Sequence, residues 1–218
     1  MIRTAALLAL VLTTTLLPST DADARRVMQA PPAVVSERLD ARALPPGIKP
    51  KGKRLIAAWR FTGPDAKVGH LVLSSTETTS KASIGPGRRL YAQLYRGTKQ
   101  LRLVQDGMDG CNVDTRVAFV ADSVSFEDVD GDKLVEVAFA YDIACDMDNE
   151  IKTRKLLVLE GPAKYALRGE SRGKDVKTGA ATGGEYKAEG FGAQGAISAW
   201  AEARWDTLLA TAPVAVDP

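Results

Sequence analysis

Four acidic residues follow one another at short, regular intervals in the middle of the chain. Asp128, Asp130 and Asp132 are spaced two residues apart, and Glu136 follows four residues later. Calcium in proteins prefers several oxygen ligands from carboxylates and backbone carbonyls. The pattern therefore predicts a cation loop, with calcium (Ca2+) as the favoured ion and the backbone carbonyl of Leu134 as a further ligand. The competing interpretation is an acidic turn between two strands, in which Asp128 and Asp130 accept hydrogen bonds from nearby backbone amides.

The segment DVDGDKLVEV resembles the calcium loops of integrin-type FG-GAP and VCBS repeats, in which the loop also precedes a strand. The resemblance implies that the acidic side chains of the loop are calcium ligands. One position departs from that pattern, because Lys133 stands where those loops usually have glycine. A non-glycine residue in a left-handed turn costs on the order of 1 kcal/mol, and lysine adds positive charge near the ion. The loop is also single here, whereas those families repeat it.

The N-terminus predicts an exported protein. Arg3 supplies a positive charge, residues 5–17 are mostly apolar, and Ala22-Asp23-Ala24 is a small-x-small cleavage site. We therefore predict a signal peptide over residues 1–24 and a periplasmic or extracellular mature protein. The apolar stretch is shorter than the roughly 20 residues that span a membrane. No later segment of the sequence is long and apolar enough to predict a transmembrane helix.

Two cysteines, Cys111 and Cys145, flank the acidic loop. An even pair in an oxidising compartment predicts a disulfide, and a pair of free buried thiols is the alternative. The bridge would close a loop of about 35 residues and stabilise the fold by roughly 3 to 4 kcal/mol in the chain-entropy model. It would also bring further acidic residues together and so favour a bound cation or raised pKa values. These residues are Asp106, Asp109, Asp114, Asp142, Asp146, Asp148 and Glu150.

The charge of the chain argues against two classes of partner. The formal net charge is +2, and removal of residues 1–24 would take away one arginine and two aspartates and raise it to +3. The basic residues are scattered in short groups along the sequence. A charge this small and this dispersed predicts neither nucleic-acid binding nor attraction to an anionic membrane.

The periodicity of the sequence predicts a single antiparallel, mainly β domain of the α+β class over residues 54–210. Short apolar or alternating segments separated by glycine and proline predict strands in a β-sandwich-like arrangement. These segments are 55–61, 68–74, 90–95, 101–104, 117–120, 124–126, 134–141, 155–159 and 164–167. A C-terminal helix is predicted over residues 193–210, where Trp200 and Trp205 lie on one apolar stripe. We expect this stripe to pack against the sheet, and sugar stacking is the alternative role for its tryptophans.

Three segments lie outside this pattern. Residues 25–53 contain five prolines and predict a Pro-rich linker or extended arm, with a short helix over 34–43 as the alternative. Residues 169–184 are polar and rich in glycine, which predicts a mobile loop. Residues 211–218 are predicted to be a tail.

The order of segments over residues 90–209 resembles a family of small secreted bacterial proteins loosely labelled surface polysaccharide biosynthesis proteins. The resemblance is strongest over residues 125–186, and Cys111 also has a counterpart in the family. It is carried by FEDVDGDKLVEVAFAYDIAC, then KLLVLEGPAKYALRGE, then GGEYKAE and the tryptophan-bearing helix. The resemblance implies export and a link to cell-surface glycan.

Three functions are open at this point. The first is a non-catalytic envelope protein, stabilised by calcium, that binds glycan or another envelope protein. The second is a polysaccharide hydrolase that uses two carboxylates chosen from Asp109, Asp142 and Glu136. The third is an inhibitor or assembly factor for an envelope protein that presents the glycine-rich loop to its partner.

We favour the first of these functions and predict no catalytic residue. The sequence contains no zinc, nucleotide or dinucleotide motif. The single histidine, His70, lies in a strand-like stretch without a serine nucleophile motif, so we expect a structural or surface role for it. The two cysteines would be oxidised and therefore unable to act as nucleophiles.

Overall fold

Two antiparallel β-sheets pack face to face, and a C-terminal helix covers the outer face of the second sheet. The residues that the computed structural model describes are 33–79, 81, 83, 85–113, 115–145, 151–174 and 178–210. All of them belong to one unit within residues 31–218. The predicted signal peptide and the predicted tail lie outside the described residues. The prediction of a mainly β, α+β domain with a packed C-terminal helix is confirmed.

The first half of the chain forms the first sheet. Its strands are β1 (Val35–Leu39), β2 (Arg54–Thr62), β3 (Val68–Thr78), β4 (Gly85–Arg96) and β5 (Lys99–Cys111). The order in the sheet is β1-β2-β3-β4-β5, so each strand pairs with the next one along the chain. In β2 the pairing with β3 shifts between Leu55 and Ala57, which leaves Ile56 as the extra residue of a β-bulge.

The second half forms the second sheet. Its strands are β6 (Thr115–Phe119), β7 (Ser125–Glu127), β8 (Glu136–Cys145), β9 (Thr153–Glu160) and β10 (Ala163–Glu170), followed by β11 (Gly173–Lys174), β12 (Ala181–Thr182) and β13 (Tyr186–Glu189). The order is β13-β10-β9-β8-β6, and β7 also pairs with β8. Strands β11 and β12 pair only with each other, inside the segment predicted as a glycine-rich loop.

The main core lies between the two sheets and follows the predicted alternation. In β4, Leu90, Ala92 and Leu94 belong to this core and are buried. In β8, Val137 and Phe139 meet them from the second sheet and are fully buried. Burial of apolar side chains on both inner faces is what holds two sheets together as a sandwich.

Helix α1 (Gly195–Ala210) packs on the outer face of the second sheet, as predicted. Its Trp205 is fully buried, and the ring nitrogen Nε1 donates to the carbonyl of Gly184 at 2.8 Å. This ring therefore packs in the core and is closed to sugar stacking. The last turn of α1 is held by Arg154, which donates from Nη1 to the carbonyl of Leu208. That position is favourable because a helix C-terminus carries partial negative charge.

The segment predicted as a linker or extended arm joins the domain well before residue 54. Strand β1 pairs with β2, and residues 41–43 form a 3-10 turn where a short helix over 34–43 was the alternative. The N–H groups of Lys51 and Gly52 then donate to Gln93 Oε1 (2.7 Å) and Ser74 Oγ (3.0 Å) in the first sheet. The packed domain therefore begins earlier than predicted, because strand pairing and these hydrogen bonds hold a segment that lacks apolar periodicity.

A disulfide joins Cys111, at the end of β5, to Cys145, at the end of β8, as predicted. The two Cα atoms are 5.6 Å apart, and the bridge links one sheet to the other. The acidic loop precedes the other end of β8. Since a strand rises about 3.3 Å per residue, roughly 30 Å of β8 separate the loop from the bridge. The disulfide therefore does not hold the loop directly.

Candidate cation site

The predicted acidic loop connects β7 to β8 at one end of the second sheet. Its backbone is left-handed at Gly131 (φ 79°) and at Lys133 (φ 75°). Lys133 is the position where the calcium loops that this segment resembles have glycine. The structure thus places a lysine at a position whose backbone favours glycine.

The aspartates of the loop accept hydrogen bonds from the loop's own backbone. Oδ1 of Asp128 accepts from the N–H of Gly131 at 3.0 Å, and Oδ1 of Asp132 accepts from the N–H of Leu134 at 2.7 Å. Oδ1 of Asp130 accepts from the N–H of Asp132 at 3.2 Å. These bonds are the ones that the acidic-turn interpretation predicts. A carboxylate has two oxygens and about four lone-pair sites, so the same groups retain capacity for a cation.

Glu136 is the unusual member of the site, because it is a fully buried acid. It is 0% exposed and lies at the start of β8. Its Oε2 accepts from the N–H of Val129 at 2.6 Å. Its Oε1 is buried and has no hydrogen-bond partner among the described residues. Since buried polar atoms in folded proteins are nearly always paired, this oxygen points to a ligand of the site.

The charge state of Glu136 follows from its surroundings. Burial raises its pKa to about 8, because a charged carboxylate loses its hydration there. The hydrogen bond from Val129 acts in the opposite direction, and the negative charges of Asp130, Glu160 and Asp128 raise the pKa further. A cation at this position would favour the ionised form by the same electrostatic logic.

Glu160 joins the site although it is not among the residues predicted from the sequence. It ends β9, and the register of the β8–β9 pair places it directly opposite Glu136. Carboxylate oxygens of Asp128, Asp130 and Glu136 lie within 4.8 Å of one another, and so do those of Asp130, Asp132 and Glu160. Like charges directly opposite on neighbouring strands are destabilising, so this arrangement favours a bound cation or a bound proton.

Two aromatic side chains, Tyr165 and Phe191, lie next to the acids of the site. The hydroxyl of Tyr165 donates to Oε2 of Glu160 at 2.7 Å, and the ring stacks on Phe191 with centroids 5.4 Å apart. Burial, this hydrogen bond and the nearby negative charges raise the pKa of Tyr165, so its hydroxyl stays protonated as a donor. Tyr165 therefore orients Glu160.

No basic side chain neutralises this cluster within the described part of the chain. No lysine or arginine nitrogen there lies within 4.0 Å of the five carboxylates. Oxygen ligands of this kind and number suit a hard divalent cation. Leu134 lies at the end of the loop, where its N–H donates to Asp132. The role of its carbonyl as a ligand stays a prediction.

The acidic residues near the disulfide behave differently. Oδ2 of Asp106 accepts from Nζ of Lys155 at 2.5 Å and from the hydroxyl of Tyr141 at 2.7 Å. Although burial acts to raise it, these bonds and the Lys155 charge lower the pKa of Asp106. Asp109 pairs with Arg89. These acids have basic partners of their own, so the expected second cation cluster does not form among them.

Asp142, a candidate for the hydrolase mechanism, is also fully engaged. It is buried, and its two oxygens accept from Nε and Nη2 of Arg154 at 2.8 and 2.9 Å. A carboxylate held in a buried, bidentate ion pair is closed to a polysaccharide. The remaining acids that the sequence places near the cysteines lie outside the described residues: Asp114, Asp146, Asp148 and Glu150.

His70 in β3 and Tyr95 in β4 are buried residues of the first sheet. His70 is 4% exposed, its Nδ1 lies 3.2 Å from the carbonyl oxygen of Gly97, and burial lowers its pKa. His70 therefore has a structural role, which is one of the two roles predicted for it from the sequence. Tyr95 is also buried, with its hydroxyl 2.6 Å from Nε2 of Gln93, and is therefore closed to glycan.

Comparison with known proteins adds no relatives. No family model matches the chain, and neither a curated protein nor a solved structure matches it. Within the described residues, no helix is both long and apolar enough to cross a membrane.

Proposed function

We propose that this protein is an exported, non-catalytic envelope protein whose sandwich is stabilised by a calcium ion bound at the acidic loop. The observation that carries the proposal is the buried, unpartnered Oε1 of Glu136 beside Asp128 and Asp130. A cation there would pair this oxygen and remove the repulsion between Glu136 and Glu160.

The acidic-turn interpretation explains less of the geometry. It accounts for the hydrogen bonds from the loop backbone to Asp128, Asp130 and Asp132. It gives no reason for a fully buried glutamate with an unpaired oxygen, or for Glu160 across from it. A bound cation accounts for both sets of observations, because loop amides and a metal can share the same carboxylates.

The chemistry of the donors favours calcium over other common metals. Every candidate ligand is an oxygen, whereas structural zinc prefers cysteine and histidine. The candidates come from a loop and two strand ends, and calcium accepts six to eight oxygen ligands in flexible geometry. Magnesium requires near-ideal octahedral geometry and dehydrates reluctantly, so it suits this crowded carboxylate set less well.

The envelope location rests on the predicted signal peptide and is compatible with the disulfide. The link to surface polysaccharide rests on the resemblance of the segment order over residues 90–209. We therefore propose that the protein binds envelope glycan or another envelope protein through surfaces outside the acidic loop. Retardation of the protein in gels that contain surface polysaccharide, with and without calcium, would measure the glycan part directly.

The calcium proposal is tested by thermal unfolding of the oxidised chain from Arg25 onward. We expect a saturable rise in melting temperature on titrating calcium after EDTA treatment, since a ligand of the folded state stabilises it by about 2.7 kcal/mol at a hundred times its dissociation constant. Asp130→Asn should abolish the rise, because Asp130 belongs to both carboxylate groups.

Asp109→Asn is the matched control, since Asp109 is an exposed acid paired with Arg89 outside the loop. It should leave the calcium response unchanged. Absence of any shift at millimolar calcium, or an equal loss of the response in both variants, would reduce the loop to an acidic turn.

A further inference from the structure

One hollow in the described part of the chain has no acid of the proposed calcium loop among its lining residues. It has a volume of about 340 Å³ and is lined by residues of both sheets. We call this hollow the apolar cleft. Its apolar lining residues are Ile56, Trp59, Leu73, Phe119, Val120 and Val124. A hollow of this size and composition is at the lower end of the range for small-molecule sites, roughly 300 to 1,000 Å³.

The apolar cleft is built into the sandwich by two local features. On one side, the β-bulge in β2 adds Ile56 as an extra residue to the wall formed by the first sheet. On the other side, the connection after β6 is held by Ser123, whose hydroxyl donates to the carbonyl of Val120 at 2.7 Å and accepts from the N–H of Ala140 at 3.0 Å. Ser123 is buried, so this wall is fixed by the core. The cleft is thus a preformed feature of the fold.

A second, smaller hollow has two lining residues in common with the cleft. It shares Ile56 and Phe119 with the cleft and also touches Leu90 and Arg88. Each hollow has one arginine among its lining residues, Arg38 on β1 for the cleft and Arg88 on β4 for the smaller hollow.

Arg38 is the basic residue among those that line the cleft. The Arg38 guanidinium lies over the Trp59 ring at 5.7 Å, and within the described residues no carboxylate lies within 4.0 Å of it. Asp122 also lines the cleft, and Arg88, which lines the smaller hollow, lies 3.8 Å from a carboxylate oxygen of Glu77. Water in a hollow with apolar walls finds few hydrogen-bond partners, and an apolar chain would displace it favourably.

We propose that the apolar cleft binds a single fatty-acid chain, with the carboxylate of the fatty acid on the Arg38 guanidinium. The apolar cleft matches the acyl chain, and Arg38 matches the carboxylate through a charge-assisted hydrogen bond. The size of the hollow favours one chain over a two-chain lipid. This site is independent of the calcium site and of the proposed glycan link.

Calorimetric titration with dodecanoate, below its micelle concentration, tests the proposal on the oxidised chain from Arg25 onward. We expect saturable binding with one site and at least about tenfold weaker binding of dodecyltrimethylammonium, which has the same chain and the opposite charge. Binding should quench or shift the emission of Trp59, and Trp59→Phe should remove that spectral change.

Two pairs of variants locate the site. Arg38→Gln should weaken dodecanoate binding about fivefold to tenfold through loss of a partly exposed charge contact. Arg60→Gln, on the neighbouring strand and paired with Glu37, should leave it unchanged. Ala121→Phe adds bulk at the cleft itself and should weaken binding at least about tenfold. Ala203→Phe adds the same bulk at an exposed position of α1 and should have no effect.

Several outcomes would overturn the proposal. One is no saturable binding of dodecanoate by the folded protein. Another is equal binding of the cationic detergent, and a third is equal behaviour of Ala121→Phe and Ala203→Phe. A concentration-dependent dimer that dissociates in Ala121→Phe, without dodecanoate binding, would assign the cleft to a second copy of the chain instead.

Discussion

The acidic loop and the apolar cleft lie at different places on the same sandwich and are assembled in opposite ways. Most of the loop's acids come from nine consecutive residues, and its aspartates hydrogen-bond to their own backbone. The cleft draws its walls from β2, β3, β6 and the connection after β6, so residues far apart in the sequence must come together to form it. The loop thus depends on local sequence, whereas the cleft depends on correct packing of the whole domain.

The two regions also differ in what burial does to them. In the cleft, burial of apolar side chains is favourable and builds the site. At the loop, burial of Glu136 is unfavourable unless a proton or a cation compensates it. We therefore expect the loop region to limit the stability of the domain and the cleft region to supply it.

The largest expected effect is a pH dependence of stability that comes from Glu136 in EDTA. Its pKa is about 8 in the folded protein against an ordinary value of 4.5. Between these values the folded state holds a proton that the unfolded state has released, so stability is full below pH 4.5 and falls as the pH rises through 8. The upper bound of the loss is about 5 kcal/mol. Urea unfolding at several pH values measures it.

Glu136→Gln should remove this pH dependence, because the amide stays neutral. Glu77→Gln, at an exposed position in β3 outside the loop, is the control and should retain it. In the wild-type protein, saturating calcium should restore at pH 9 the stability that is lost in EDTA, since the ion favours the ionised carboxylate of Glu136. A flat pH profile of the wild-type protein in EDTA would mean that Glu136 is hydrated and that the loop does not limit stability.

The next effect concerns the cleft wall. Phe119→Ala should destabilise the protein by about 3 kcal/mol, at the lower end for a buried aromatic because one side of the ring faces the cleft. Phe119 is buried, and its ring packs edge-on against Phe139 and Tyr141. Asp132→Asn in the loop should cost less than about 1 kcal/mol in EDTA, because it alters one exposed hydrogen bond. Equal losses in urea unfolding would contradict the contrast between the two regions.

The same contrast explains which features the sequence could predict. The cluster of aspartates was predictable because three of them are spaced two residues apart along one segment. The strands of the core were predictable because they alternate, as in β4 and β8. The disulfide was predictable because the predicted export places the two cysteines in an oxidising compartment. Each of these signals is local or compositional.

Features that need tertiary pairing escaped prediction. Glu160 enters the site only through the register that sets it against Glu136 in the β8–β9 pair. Strand β1 lies in a proline-rich segment and is mostly exposed, so it has no apolar alternation and exists through its pairing with β2. Strand β13 is also exposed along its whole length, so it too lacks an apolar alternation that the sequence could show. The cleft needs the bulge at Ile56 and the far wall at Phe119 together, which periodicity along one segment cannot show.

The smallest expected effect concerns backbone strain, which both regions contain. Lys133 in the loop (φ 75°) and Asp122 at the cleft (φ 54°) are non-glycine residues in the left-handed region. Lys133→Gly should stabilise the protein by about 1 kcal/mol in EDTA, and Gly131→Ala should destabilise it by a similar amount. Asp122→Gly should gain little, since aspartate tolerates this conformation and glycine adds freedom to the unfolded chain. Urea unfolding of the three variants measures the differences.

Calcium titration of Lys133→Gly sharpens the comparison further. Removal of the lysine charge should raise calcium affinity, because that charge lies on the loop proposed to hold the ion. Dodecanoate binding should be the same as in the wild-type protein, since the loop contributes no residue to the cleft. A gain in stability from Asp122→Gly as large as that from Lys133→Gly would show that the cleft connection is strained as well. The cleft would then share with the loop the property of limiting stability, and the division between the two regions would fail.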